Sequence, residues 1–176
     1  LPEATRHDIK EFFGSYKQAT AEADQLLFSS GNTELVDETA NAATVGKRLP
    51  TALYVHESAL SDLAPVLRVY EGCARWVVGE IDDANVIKLA TNKPKVSYLS
   101  YPKFDKEPHP ALRETIFVRL WNLDVDWRSY EDSTNSPILH RKEQFVADDY
   151  PLRERFARLT EQEERFGLYD TALRLI

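Results

Sequence analysis

The hydrophobic period changes from helical to two at Gly79, and that change constrains the fold more than any other feature. Before it, Ile9, Phe12, Phe13, Tyr16, Ala19, Ala23, Leu26 and Leu27 recur at three- and four-residue steps, which is the spacing of one helix face. The spacing predicts one long amphipathic helix, capped by Asp8 with Glu11 and stopped at Gly31, although the interior Gly14 costs about 1 kcal/mol against alanine. A shorter helix fits Glu34 to Ala43, and Ala52 to Val55 reads equally as a short strand or a helical turn. Pro65 then suits a first helical turn. Val66, Val69, Tyr70, Cys73 and Val77 form the stripe of that helix, and Gly79 ends it.

Beyond Gly79 the period is two. "NVIKLA" and "KVSYLSY" flank a "TNKP" turn and read as a hairpin, while Leu123, Val125 and Trp127 alternate with Asp124, Asp126 and Arg128. Ile138 to Val146 is expected to add a strand, and Pro151 to Arg165 returns to helix. Helices, then antiparallel strands, then a helix predict an α+β fold: N-terminal helices on a mainly antiparallel sheet, with a helix near the C-terminus. At 176 residues and 43% hydrophobic content the chain has the size of one globular domain, residues 1–176. It starts at Leu1 and contains no Met, which fits a piece excised from a longer product.

Composition narrows the chemistry. Cys73, the single cysteine, precludes an internal disulfide; it sits in an apolar helical pattern as a small buried thiol, and the expected compartment is the cytoplasm. No apolar run reaches the ~20 residues that span a bilayer, so no membrane partner is expected. The six glycines are scattered rather than clustered after a strand, which argues against a self-contained dinucleotide, S-adenosylmethionine or P-loop site; no cofactor is expected in this fragment. Metal binding is not expected either, because His109 and His140 each lack a second His or Cys at ligand spacing.

A net charge of −7 opposes indiscriminate adhesion to nucleic acid, but the sum hides a local reversal. From Asn85 to Lys103 the chain carries Lys88, Lys93, Lys95 and Lys103 and no acid. Any polyanion site is therefore expected in the middle. Two segments join this reading. "YPKFDKEPHP", Tyr101 to Pro110, is a loop stiffened by three prolines and suits either a binding loop or a structural one. "SPILHRKEQFV", read as a strand, turns His140 and Lys142 to one face and Arg141 and Glu143 to the other. Its charges either guard an edge strand against aggregation, or place His140, Arg141 and Lys142 beside the lysine hairpin as anion contacts.

"FFGSYKQATAEADQLLFSSGN", "LRVYEGCARWVVGEIDDANVIKL", "KPKVSYLSYPKFDKEPHPAL" and "SPILHRKEQFVADDYPLRERFARLTEQEERFGLYD" resemble the C-terminal region of the DNA phosphorothioation-associated methyltransferase family. The resemblance covers nearly the whole chain. It implies a preceding methyltransferase-like domain and an accessory place in a bacterial DNA sulfur-modification or defence system, with DNA or other components of that system as partners. One departure is "IKLAT", where Ala90 stands in the position of a family histidine, which weakens a catalytic reading of the hairpin. The expected function is accessory recognition of DNA or of a partner subunit through Lys88, Lys93, Lys95, Lys103, His140, Arg141 and Lys142. The alternatives are a hydrolytic or phosphodiester-acting domain using Asp105, His109, His140 and Glu143, and a protein-interaction module docking through the acidic helical half.

Overall fold

A computed structural model describes residues 1–169. Its architecture is α+β, as the change of period predicts. Three helices come first: α1 (Glu3–Phe13), α2 (Tyr16–Ser29) and α3 (Thr33–Asn41). The single long N-terminal helix is corrected to two. Gly14 takes a φ of 73°, and the Ser15 side chain accepts from the Gln18 N–H at 3.2 Å, so a stop and a new cap sit side by side. Asp8 therefore lies inside α1 instead of capping it.

Strands β1 (Lys47–Leu49) and β2 (Ala52–His56) follow, then helix α4 (Pro65–Val78), with Pro65 at its start and Gly79 at its end as read. Strands β3 (Val86–Ala90), β4 (Lys95–Ser100), β5 (Glu114–Arg119) and β6 (Asp124–Ser129) continue the sheet, and α5 (Arg153–Arg165) closes the described chain. The sheet has six strands in sequence order, each antiparallel to the next. Gly46 enters β1 at a φ of +88°, where a Cβ would meet the Tyr54 carbonyl oxygen at 2.7 Å; only glycine lets the two strands approach so closely.

Alternation divides the sheet into two faces. Leu53, Val55, Ile87, Leu89, Val96, Tyr98 and Val118 pack against Val36 and Ala40 of α3 and Leu67, Tyr70 and Ala74 of α4. On the opposite face a second, smaller core joins Val86 and Leu99 to Phe104, Leu139, Phe145 and Phe156. That core covers only one end of the face. The rest is the surface from which a functional site can be built.

Three further expectations change. Ile138 to Val146 is not a strand: Ile138 makes one isolated bridge with Ala111, Arg141 turns left-handed at φ 56°, and Lys142–Gln144 is a single 3-10 turn. On β6 both faces are exposed, so Val125 and Trp127 are uncovered like Asp124 and Asp126. Cys73 is half-buried rather than buried. Among the described residues, no helix is long and apolar enough to cross a membrane.

Candidate nucleic-acid interface

Register brings the site together. Lys47 lies opposite Tyr54, Tyr54 opposite Lys88, Lys88 opposite Ser97, Ser97 opposite Phe117, and Phe117 opposite Asp126, so these six side chains form one row across the face opposite the helices. The row is half-buried for the most part, with Ser97 buried and Tyr54 packed at the margin of the second core. In the next row Lys95 pairs with Arg119, and Arg119 with Asp124. Opposite residues in an antiparallel sheet share a face at about 4.5–5.5 Å between Cα atoms, so each row is a contiguous strip.

The strip has a repeated local arrangement. Lys88 Nζ lies 5.0 Å from the centre of the Tyr54 ring, Lys95 Nζ 4.1 Å from that of Phe117, and Lys47 Nζ 5.5 Å from that of Phe145. A ring face holds an ammonium by its quadrupole without neutralising it. Among the described residues, Lys47, Lys88, Lys93 and Lys95 have no carboxylate within salt-bridge distance. Burial, followed by the charges of Lys93, Lys88 and Arg119, lowers the Lys95 pKa from its ordinary value. Burial, followed by Arg141 and opposed by Glu143, lowers that of Lys47. Cations that depress one another are relieved by an incoming anion.

The acids on this face are confined to the β6 end, where Arg119 holds both Asp124, at 3.7 Å, and Asp126. A groove of about 340 Å³ runs over the row and is lined by Lys47, Tyr54, Lys88, Ser97, Phe117 and His140. It shares Lys47, Leu49 and His140 with a second cleft of about 640 Å³ at the β1 edge, which also contains Arg141, Glu143 and Arg153.

The sequence-derived nucleic-acid set therefore divides. Lys88 and Lys95 lie on the strip, and Lys93 is exposed in the turn between β3 and β4. Lys103 is in the Tyr101–Pro110 loop, paired with Glu107 at 2.6 Å. His140 lines both clefts, but burial, then Lys47, Arg141 and His109, push its pKa down to about 4, so near neutrality it offers a neutral imidazole. Arg141 is engaged by Glu164 at 2.6 Å and by the Tyr169 ring at 4.5 Å. Lys142 is buried and donates to the carbonyl oxygens of Phe104 and Glu107, at 2.5 and 2.6 Å. It does not share a surface with the lysine hairpin.

The residues of the hydrolytic alternative do not converge on one point. Asp105 accepts from the Tyr150 hydroxyl at 2.8 Å, beside His56 and Phe104. His109 Nε2 pairs with Glu163 at 2.9 Å. Glu143 accepts from the Thr160 hydroxyl at 2.9 Å, and burial raises its pKa. His140 and Glu143 line the same cleft, and His109 is near enough to His140 for its charge to lower the His140 pKa. Among the described residues, no group of three or more His, Cys, Asp or Glu side chains is placed to hold a metal ion.

Lys47, Tyr54, Phe117 and Arg119 are the site residues missed by local reading. Each becomes meaningful only through its cross-strand neighbour; the one usable signal was the "VGK" turn before the apolar Ala52–Val55 run, which marks Lys47 as the first residue of a hairpin. Compared with family models, curated proteins and solved structures, the chain matches none.

Proposed function

We propose that this chain is a DNA-contacting recognition domain, an accessory part of a bacterial DNA-modification or defence protein of the phosphorothioation-associated kind that its motifs resemble. The observation that carries the reading is the strip of Lys47, Lys88 and Lys95, each set over an aromatic ring and none paired with a carboxylate among the described residues. Unpaired ammonium groups on a sheet contact phosphates at low desolvation cost, and the Tyr54 and Phe117 rings between them offer base-stacking surfaces once the lysines swing out to the backbone.

The overall charge of −7 works against the contact, so affinity is modest. It falls with salt, but with a shallow log–log slope, because a handful of lysines release only a few counterions. A fluorescence-anisotropy salt titration of wild type and the Lys88→Gln, Lys95→Gln double variant on the same oligonucleotides tests the proposal. The variant should bind every sequence more weakly, with a log–log salt slope shallower by about two, one for each phosphate contact removed. Overlapping curves would reject it.

A further inference from the structure

The last strand of the sheet ends in an unused edge. Among the described residues, β6 pairs with β5 on one side and with no strand on the other, and all of its residues are exposed. The chain that follows does not fold back over that edge: the Tyr130 N–H donates to the Arg113 carbonyl at 2.7 Å, and the Leu112 N–H to that of Pro137 at 2.8 Å, so residues 130–137 turn inward toward β5. A strand of this length with open backbone donors and acceptors is a template for another strand.

Its side chains specify which one. The outward alternation places Asp124, Asp126 and Arg128 on the lysine-bearing face and Val125 and Trp127 on the helix side. Arg128 is exposed and has no carboxylate partner among the described residues, unlike Asp124 and Asp126, which Arg119 holds. β6 thus carries an uncompensated cation two residues from a carboxylate, a pattern that complements its own reversed copy.

We infer that the edge of β6 binds β6 of a second copy of this chain, antiparallel about a two-fold axis normal to the sheet, with Trp127 on the axis. Register selection follows from charge. An axis through Val125 sets Asp124 against Asp126 of the second copy, an axis through Asp126 sets that carboxylate against itself, and an axis through Arg128 does the same with two guanidinium groups. With Trp127 on the axis, Asp126 faces Arg128 of the second copy twice, Val125 faces Ser129 twice, and the two indoles meet on the helix side. Such an axis keeps both lysine strips on one side of a continuous twelve-stranded sheet. The inference rests on the β6 edge alone and is independent of DNA binding.

Sedimentation equilibrium over a concentration series, without DNA, tests it on wild type, Arg128→Glu and Arg128→Lys. Wild type and Arg128→Lys should form a dimer, and Arg128→Glu, which sets two carboxylates together at each end of the pairing, should raise the dissociation constant at least tenfold. Because Arg128 is exposed and makes no ion pair among the described residues, the circular dichroism of Arg128→Glu should match wild type. A monomer at every concentration, or a dimer that Arg128→Glu leaves intact, overturns the inference.

Discussion

Lys142 Nζ lies 2.5 Å from the carbonyl oxygen of Phe104 and 4.0 Å from the centre of the Phe156 ring, beneath the proline-stiffened loop of residues 101–110. Its ammonium ties that loop to α5. A cation read from sequence as a surface contact is thus a structural strut, retained by two carbonyls and two aromatic faces.

Replacing Lys142 with Met should leave both carbonyls without their donor and cost about 1–3 kcal/mol in urea unfolding, with DNA affinity unchanged under conditions where the variant is folded. Burial, opposed by Asp105, pushes the Lys142 pKa from 10.5 down to about 8. The unfolded chain then holds a proton that the folded chain releases, so between pH 8 and 10.5 this group makes stability rise with pH. The wild-type minus variant difference should grow across that window. A flat difference would mean that the ammonium stays charged at both ends.

Two histidines reverse the question for acid. Burial, opposed by Asp105, pushes His56 down to about 4, and its Nδ1 accepts from the Ser58 N–H at 3.1 Å. His140 is likewise near 4. A histidine that is neutral when folded and titrates near 6.5 when unfolded contributes stability that is full above 6.5 and lost as pH falls toward 4. For the buried His56 the slope is about 1.4 kcal/mol per pH unit within that interval. Urea titrations of wild type and His56→Asn, whose amide oxygen can still cap Ser58 but does not titrate, should converge as pH falls. Parallel losses would show that His56 is not the group responsible.

How much was legible depended on how local each cause was. α4 was read at both ends because Pro65 and Gly79 act within their own turn. The β3–β4 hairpin was read because its period and turn lie within adjacent residues. By composition Gly14 is only a cost to a continuous helix, whereas its left-handed φ and the cap at Ser15 make it a boundary. The misread Ile138–Val146 segment owes its shape to distant partners. Lys142 is buried because carbonyls 38 and 35 residues earlier accept its protons, and one left-handed residue at Arg141 undoes the two-residue alternation on which a strand reading relies. The lysine strip shows the same limit: Lys47 and Phe117 are seventy residues apart in the chain and meet only through the register of the intervening strands.

Tyr70 connects this scaffold to the proposed interface. The phenol is buried in α4; its hydroxyl donates to the Ala90 carbonyl at 2.9 Å and accepts from the Lys95 N–H at 2.7 Å, closing the turn that carries Lys93 and Lys95. Burial raises its pKa to about 12, so it remains a donor throughout the ordinary pH range. Tyr70→Phe keeps the ring in the core and removes only the bridge, leaving a backbone donor and an acceptor unmatched at a cost of about 1–3 kcal/mol. The expected consequences are faster hydrogen exchange at the Lys95 amide and weaker DNA binding, because the turn no longer holds its two lysines at fixed spacing. Val36→Ala, a truncation in the α3 core whose side chain makes no hydrogen bond to the turn, supplies the comparison. It should lower stability by a similar or greater amount while leaving the Lys95 turn closed and the affinity of the folded protein near wild type. Equal affinities for the two variants would show that the turn geometry does not set the contact, and would shift the interface toward Lys47 and Lys88.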